Sequence, residues 1–339
     1  MSSTCTSRYS GLDDFAAAEI LQVGESAAEN YLNALPLSTI KHKFVDLKDL
    51  QQKISEYLQS EMSNVTANQF LVYSNVPEDQ VLDDDNEYSL YGGRITYSRT
   101  QKFLIIKMPK KAQQVAKVGF THLVATKISE MGLADAIEET GSTMRIRGDW
   151  IKEPDSSWEV DVGTTTAALS AEQEMMKSPS LVLETVITGG CSKDEGEDEI
   201  TGNGKLLDIN AHAWIEAGAA AAEATAETKT ETRLVITVQI ASDTPHLTIQ
   251  VWERERERDD NGNDKARAIR TQLVQVSHNN STNTTTVSGS IMLPFWGVFL
   301  RAADVLRNPL ERDIVLNEGE IEKIARRIWK VQGFLGSSR

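Results

Sequence analysis

Two acidic residues, Asp155 and Glu184, stand where the chain otherwise predicts a buried sheet. Asp155 follows Pro154 at the start of one strand, and Glu184 lies 29 residues later, inside the apolar run 180–186. A buried carboxylate needs an ionic partner, a metal ion or a shifted pKa. Two such groups that converge at one sheet edge can hold a divalent cation, which predicts a metal-dependent phosphodiesterase site. The alternatives are that Asp155 is only a turn or cap residue and that Glu184 pairs with a neighbouring Lys or Arg.

The strands that must position these acids have different hydrophobic patterns. Residues 158–162 alternate between apolar and polar side chains, as in a half-buried strand. Residues 181–187 are more continuously apolar, interrupted only by Glu184 and Thr185, as in a sheet covered on both faces. Upstream, the runs 94–98 and 102–108 are joined by a short polar turn, which predicts a β-hairpin.

Helical periodicity and cap residues predict the other large elements. One helix is expected to begin at Pro109 and end at Gly132, and another to begin near Leu206. Near the C-terminus, Asn317 and Glu320 have the spacing of a capping box. Strands are predicted at 234–240, 247–252, 272–277 and 284–293, and terminal helices at 295–305 and 320–331.

Residues 1–90 predict a helical extension with an acidic linker. One helix is expected from Asp13 to about residue 35. A second, capped by Asp46, is expected from Leu47 to Met62. The acidic run 77–87 predicts a solvated linker. Residues 91–339 then form the main domain, for which we expect an α/β fold with a mixed central sheet flanked by helices.

The two acids belong to a series of short blocks spread over residues 90–332. The blocks are 103–109 (FLIIKMP), 131–133 (MGL), 141–143 (GST), 152–155 (KEPD), 179–184 (PSLVLE), 214–215 (WI), 233–240 (RLVITVQI) and 247–253 (LTIQVWE). In this order they resemble fungal proteins with a restriction-endonuclease-like core of the PD-(D/E)xK type. The resemblance implies that Asp155 and Glu184 bind Mg²⁺ or Mn²⁺ in a nuclease-like site. Magnesium prefers carboxylate and water oxygens, and a bound metal ion polarises a phosphate for hydrolysis.

The chain departs from the family pattern at three positions. The lysine that commonly follows the second acid by two residues is replaced by Val186, which shares a strand face with Glu184 but carries no charge. An acid that the family often has early in the preceding helix falls near Gln114, a neutral residue. The basic residue expected before Trp214 is also missing, since Asp208 and Asn210 stand there.

Lys152 and Lys205 are the candidates to supply the missing positive charge from other backbone positions. With Asp155 and Glu184 they form the predicted catalytic set. The alternative is a catalytically inactive module that kept the fold and binds a protein or nucleic-acid partner.

Charge is unevenly distributed along a chain whose net charge is −15 and whose pI is near 4.9. This balance disfavours a general nucleic-acid binder, because phosphate contacts need Lys and Arg. Between Arg94 and Lys117, however, seven basic residues occur and no acidic one. The candidate contacts to DNA or RNA are Arg94, Arg99, Lys102, Lys107, Lys110 and Lys111. The alternative is a solvated basic face, and the acids between Glu184 and Glu231 would repel a phosphate backbone.

Location and other partners are predicted by what the sequence lacks. No apolar run is long enough for a transmembrane helix, and the polar N-terminus has no signal-peptide core. Cys5 and Cys191 have no metal-ligand spacing. We therefore expect an intracellular protein, cytoplasmic or nuclear, with no membrane partner. Self-association through the N-terminal helices is a further alternative.

Overall fold

Two large β-sheets meet in the computed structural model, which describes residues 27–61, 69–82, 93–161, 175, 177–189, 202–220, 231–258 and 264–335. The first sheet has six strands in the order β1-β2-β4-β3-β7-β6. Its strands are β1 (Ile40–Lys43), β2 (Phe70–Ser74), β3 (Arg94–Ser98), β4 (Phe103–Lys107), β6 (Arg145–Arg147) and β7 (Trp150–Lys152). The predicted hairpin is confirmed, since β3 and β4 pair antiparallel with Arg94 opposite Lys107.

The second sheet has seven strands in the order β13-β12-β11-β10-β9-β8-β5. Its strands are β5 (Ile137–Glu139), β8 (Ser156–Val160), β9 (Leu181–Thr188), β10 (Leu234–Ala241), β11 (His246–Arg258), β12 (Asp264–Asn279) and β13 (Thr284–Val287). β9 and β10 run parallel, and the other neighbours are antiparallel. All eight residues of β9 are buried, as its continuous apolar run predicts. A small third sheet pairs β14 (Ile291–Leu293) with β15 (Ile314–Leu316).

Helices cover both faces of the second sheet. In all, the described part of the chain has the helices α1 (Ala27–Asn33), α2 (Leu47–Glu61), α3 (Asp79–Leu82), α4 (Lys111–Glu130), α5 (Gly202–Ala220), α6 (Phe295–Phe299) and α7 (Glu318–Gln332), with a 3₁₀ turn at Ala134–Ala136. Of these, α4, α5 and α7 cover the second sheet. Apolar residues of α4 and α7 pack with Leu181 and Leu183 on one face. Trp214 and Ile215 of α5 pack with Val182 on the other. The predicted α/β fold, with a mixed sheet flanked by helices, is confirmed.

The elements that build the centre follow one another as α4, β5, β8, β9, α5 and β10. Between β5 and β8 the chain leaves the second sheet, forms the β6–β7 hairpin of the first sheet, and returns. The return takes only the three residues between Lys152 and Ser156. Asp155 is one of these three residues, and the short crossing holds the end of the first sheet close to β8 and to β9, the strand of Glu184.

The N-terminal region differs from a purely helical extension. Asp46 caps α2 as predicted, because its Oδ1 accepts a hydrogen bond from Asp49 N at 2.8 Å. However, β1 and β2 also belong to this region, and β2 pairs with β4 inside the first sheet. The acidic run predicted as a linker contains α3. Of the first predicted helix, residues 27–33 are helical, and its earlier residues lie outside the described part of the chain.

Of three C-terminal predictions, two need correction and one is confirmed. The helix predicted for 295–305 ends at Phe299, because Leu300 adopts a left-handed conformation with φ of 56°. The strand predicted for 284–293 is two strands in different sheets. The capping box of α7 is confirmed, since Asn317 Oδ1 accepts from Glu320 N at 3.0 Å and Glu320 Oε2 accepts from Asn317 N at 2.9 Å. Within the described residues, no helix has the length and apolarity needed to cross a membrane.

Candidate functional site

Asp155 lies where the chain crosses from the first sheet to the second. Its neighbour Glu153 is fixed to β3, because Glu153 N donates to Ile95 O at 2.9 Å and Glu153 Oε2 accepts from Ile95 N at 3.1 Å. Asp155 Oδ2 in turn accepts hydrogen bonds from the backbone N of Thr185 at 2.6 Å and from Thr185 Oγ1 at 2.7 Å. These bonds hold the Asp155 carboxylate against β9, the strand that carries Glu184.

Glu184 lies in the middle of β9 and faces α5. Its Oε1 accepts a hydrogen bond from Trp214 Nε1 at 2.8 Å, and this tryptophan is fully buried. Only 3% of Glu184 and 2% of Asp155 are exposed to solvent. Buried carboxylates of this kind require compensation by hydrogen bonds and by opposite charge.

Lys107 supplies that charge from β4 of the first sheet. Its Nζ lies 2.8 Å from Asp155 Oδ2, 3.2 Å from Glu184 Oε2 and 3.2 Å from Thr185 O. The two carboxylate oxygens can be separated by no more than the sum of the first two distances, about 6 Å. The structure therefore brings the two predicted acids together, and it joins them through a lysine that the sequence predicted as a nucleic-acid contact.

Asp155 and Lys107 stabilise each other as ions. Burial favours the neutral form of Asp155, but Lys107 and the hydrogen bonds from Lys107 and Thr185 outweigh it, so the pKa of Asp155 is lowered. Burial likewise opposes the ammonium, but Asp155 and Glu184 outweigh it and raise the pKa of Lys107. Asp155 is thus held as an anion and Lys107 as a cation at neutral pH.

Lys152 lies close to this site without contacting either acid. It is 1% exposed and donates a hydrogen bond to Asn210 Oδ1. Its Nζ also lies 5.2 Å and 5.4 Å from the ring centroids of Tyr31 and Trp214. Burial lowers the pKa of Lys152 to about 8, with Lys107 also lowering it and Glu184 opposing both. Lys152 therefore adds positive potential near Glu184 but does not replace the missing lysine by direct contact.

The other predicted substitute, Lys205, lies in the first turn of α5. Within the described part of the chain, no hydrogen bond or ion pair joins it to Asp155 or Glu184. Val186 is 1% exposed and packs among apolar residues that include Leu206 and Leu207. The position of the usual lysine is thus part of a hydrophobic cluster.

The neutral residue at the site is Gln113, one position before the predicted Gln114. Gln113 is 1% exposed, and its Nε2 donates to Thr185 O at 3.1 Å. Its Oε1 accepts from Lys110 N at 2.8 Å, which ties the start of α4 to the same point. One residue of helical register separates the two glutamines, and a one-residue shift turns a side chain by about 100° around the helix axis.

The predicted basic block does not form one surface. Lys107 is committed to the two acids, while Arg99 pairs with Glu78 at 2.8 Å near the hairpin turn, where Lys102 is exposed. That turn is at the opposite end of β4 from Lys107. The remaining members are near the site: Arg94 opposite Lys107, Lys110 with its Nζ 5.6 Å from the Tyr57 ring centroid, and exposed Lys111.

A narrow cavity opens beside Lys107 and Glu184. Its walls include Arg94, Glu153 and Tyr31, and its volume of about 10 Å³ holds about one water molecule. Burial raises the pKa of Glu153 to about 7, although the hydrogen bond from Ile95 and the charge of Arg94 lower it. The cavity therefore places the titratable carboxyl group of Glu153 beside the same space as Lys107 and Glu184.

The oxygens around Lys107 Nζ match a hard divalent cation in kind. Two carboxylate oxygens and the Thr185 carbonyl oxygen converge on one point, and such oxygens are the ligands that Mg²⁺ prefers. Among the described residues, no group of three or more His, Cys, Asp or Glu could hold a metal ion. A metal here would need the carbonyl and water as additional ligands. The donor set fits, although the convergence point is taken by the ammonium.

Comparisons with known proteins give only weak structural similarity. No protein-family model matches the chain, and no curated protein is significantly similar to it. A solved structure described as a putative nuclease belonging to DUF820, from Anabaena variabilis, has 12% sequence identity and a TM-score of 0.29. That match covers 52% of this chain and 75% of the other. A similarity this weak carries no information about the activity of this chain.

Proposed function

We propose that this protein is a divalent-metal-dependent, nuclease-like phosphodiesterase with a restriction-endonuclease-like core. The observation that carries the proposal is the convergence of oxygens from Asp155, Glu184 and the Thr185 carbonyl on one point, which the Lys107 ammonium occupies in this structure. The order of α4, β5, β8, β9, α5 and β10, with Asp155 directly before β8 and Glu184 on the adjacent strand β9, supports the resemblance found in the sequence.

In this proposal, Asp155 and Glu184 hold Mg²⁺ or Mn²⁺ together with the Thr185 carbonyl. When bound, the metal polarises a phosphate and lowers the pKa of an attacking water. The chain's own residues provide the positioning. Thr185 orients Asp155 through two hydrogen bonds, and Trp214 orients Glu184 through one.

Lys107 takes the role that Val186 cannot fill. Its ammonium comes from β4 rather than from the strand of the second acid, but it contacts both acids. A lysine ammonium next to a scissile phosphate stabilises the negative charge that develops in the transition state. Lys152 then contributes only a longer-range positive potential, and Lys205 has no assigned role.

The proposed substrate is DNA or RNA. Arg94, Lys110 and Lys111 lie near the site end of β4 and the start of α4, where a helix N-terminus also favours a phosphate. Arg99 and Lys102, at the far end of the hairpin, would contact only a longer substrate. An intracellular location, cytoplasmic or nuclear, remains part of the proposal.

The test is cleavage of labelled single- and double-stranded DNA and RNA with Mg²⁺ or Mn²⁺, and with a chelator instead. We expect metal-dependent cleavage that Asp155→Asn and Glu184→Gln each abolish. Glu138→Gln, which changes an exposed acid on β5, is the matched control and should retain activity. Cleavage that survives both site variants, or no cleavage of any of the four substrates, would overturn the proposal.

A second candidate is a catalytically inactive module that binds a protein or nucleic-acid partner. Two observations favour it: an ammonium already compensates both acids, and the neutral Gln113 stands at the site where the family often has an acid. This candidate predicts that the folded protein neither cleaves nucleic acid nor binds Mn²⁺ at millimolar concentration. Retained affinity for a partner, unchanged by Asp155→Asn, would then support it.

A further inference from the structure

The Lys107 ammonium is saturated by its three contacts. A lysine ammonium has three N–H donors and no acceptor. Asp155 Oδ2, Glu184 Oε2 and Thr185 O are three acceptors, each from 2.8 to 3.2 Å from Nζ. In this arrangement no N–H of Lys107 remains for a phosphate. The ammonium therefore acts here as a bound cation rather than as a group ready to meet substrate.

The same three oxygens are the ones that a divalent ion would use. Mg²⁺ binds oxygen ligands at about 2.0–2.1 Å, so an ion held by these oxygens would lie at nearly the same point as Lys107 Nζ. Two cations at one point repel strongly, above all where the acids are only 2–3% exposed. Metal binding and the observed position of Lys107 therefore exclude each other.

A small cavity lies beside the Lys107 side chain. Lys107 is at the last position of β4, and its side chain is 12% exposed. It lines the cavity beside Glu184, which has Arg94, Thr96 and Asn210 among its walls and a volume of about 10 Å³, the space of about one water molecule. An ammonium group is of similar size, and lysine has a flexible four-carbon stem, so the displacement that metal binding requires is a rotation of this stem toward the cavity.

We propose that the Lys107 ammonium occupies the divalent-metal site, and that a metal ion binds there only by displacing it. The displaced ammonium is then free to contact a phosphate. The inference rests on the proposed function only in taking Asp155 and Glu184 as metal ligands. By linkage, any preference of the oxygens for Lys107 weakens the apparent metal affinity by the same factor.

Mn²⁺ binding to the full chain, followed by electron paramagnetic resonance and calorimetry, tests this directly. Lys107→Met keeps the length of the side chain and removes its charge. We expect it to bind Mn²⁺ about 10- to 100-fold more tightly than the wild type, a range typical of coupled equilibria. The gain should disappear in Lys107→Met/Glu184→Gln, whereas Lys323→Met, at an exposed lysine of α7, should leave Mn²⁺ affinity unchanged. Equal affinity of Lys107→Met and wild type would overturn the proposal.

Folding of the variant is a second readout. If Lys107→Met is unfolded without metal, Mn²⁺ should restore its circular dichroism spectrum, because the ion then replaces the ammonium. A variant that stays unfolded at 10 mM Mn²⁺, a concentration chosen about tenfold above the weak millimolar range, counts against the proposal. In the wild type, acetylation of Lys107 measured by mass spectrometry should increase with Mn²⁺, with Lys111 as the constant reference. Acetylation of Lys107 that does not change at saturating Mn²⁺ also contradicts the proposal.

The outcomes separate this inference from the proposed function. If Lys107→Met binds Mn²⁺ more tightly but no nucleic acid is cleaved, the blocking role of Lys107 is supported and the proposed nuclease function is rejected. If the wild type cleaves nucleic acid with metal but Lys107→Met binds Mn²⁺ no more tightly, the nuclease function is supported and the blocking role of Lys107 is rejected.

Discussion

Replacement of Lys107 by methionine should strongly destabilise the metal-free protein. The change leaves two buried carboxylates whose contacting oxygens are within about 6 Å, since both lie against the same nitrogen. With an effective dielectric constant of about 20, two unit charges at that distance repel by about 3 kcal/mol. Removing one partner of a buried ion pair typically costs about 3–5 kcal/mol. We therefore expect a loss of about 3–5 kcal/mol, a large part of the 5–15 kcal/mol that is typical of folded proteins.

The same reasoning predicts that the loss depends on the acids. In Lys107→Met/Asp155→Asn/Glu184→Gln no ion remains in the cluster, and replacing a whole buried ionic group is often close to neutral. The triple variant should therefore be more stable than Lys107→Met alone, although it carries two more changes. The resulting coupling energy between the lysine and the acids should exceed about 2 kcal/mol, within the range found for residues in contact.

Urea denaturation of the four forms at pH 7 in a chelating buffer measures these energies. The four forms are the wild type, Lys107→Met, Asp155→Asn/Glu184→Gln and the triple variant. Midpoints convert to free energies of unfolding where the slope is unchanged. A loss below about 1 kcal/mol for Lys107→Met, or effects that add within about 0.5 kcal/mol, would refute the view that Lys107 compensates the two acids.

Two further predictions concern elements outside the cluster. Asn317→Ala removes the side-chain cap of α7, whose Oδ1 accepts from Glu320 N, so we expect a loss of about 1 kcal/mol in urea denaturation. Asn317→Ser should lose less, and equal losses would contradict the capping role. Burial raises the pKa of Asp208 to about 6, while Arg270 and His212 oppose the shift. A raised folded-state pKa means that stability is lost as pH rises from about 4 through about 6, so Asp208→Asn should match the wild type near pH 4. At pH 8 its thermal midpoint should be higher, by an amount equivalent to about 1–2 kcal/mol after allowance for partial exposure; a difference independent of pH would contradict the assignment.

Local signals explain which elements the sequence predicted. The β3–β4 hairpin, the buried strand β9 and the cap of α7 each depend on residues close together in the chain, and all three were found. β1 was missed because its four residues are mostly exposed and polar, and it is defined only by parallel pairing with β2. The sequence of β2, FLVYS, does carry an apolar and aromatic run that predicts a strand.

The site was predicted in part for the same reason. The apolar neighbours of Glu184 and the proline before Asp155 mark both acids as unusual, and the structure brings them together. The sequence predicts Lys107 as a nucleic-acid contact, with a solvated face as the alternative, because it belongs to the block of basic residues between Arg94 and Lys117. Its true environment depends on how one sheet lies against the other, which no spacing within the chain reveals. A single charge at the last position of an otherwise buried strand was the signal that could have indicated it.

The short crossing at residues 153–155 explains why the positive charge need not lie on the strand of the second acid. Because β7 continues into β8 through only three residues, the strands next to β7 must lie close to the start of β8. β3 pairs with β7, and β4 pairs with β3, so the end of β4 is carried to Asp155 and Glu184. A lysine at that end therefore contacts both acids without lying on the strand of Glu184. Val186 is then free to become part of the apolar cluster, and its loss of charge does not by itself indicate a loss of function.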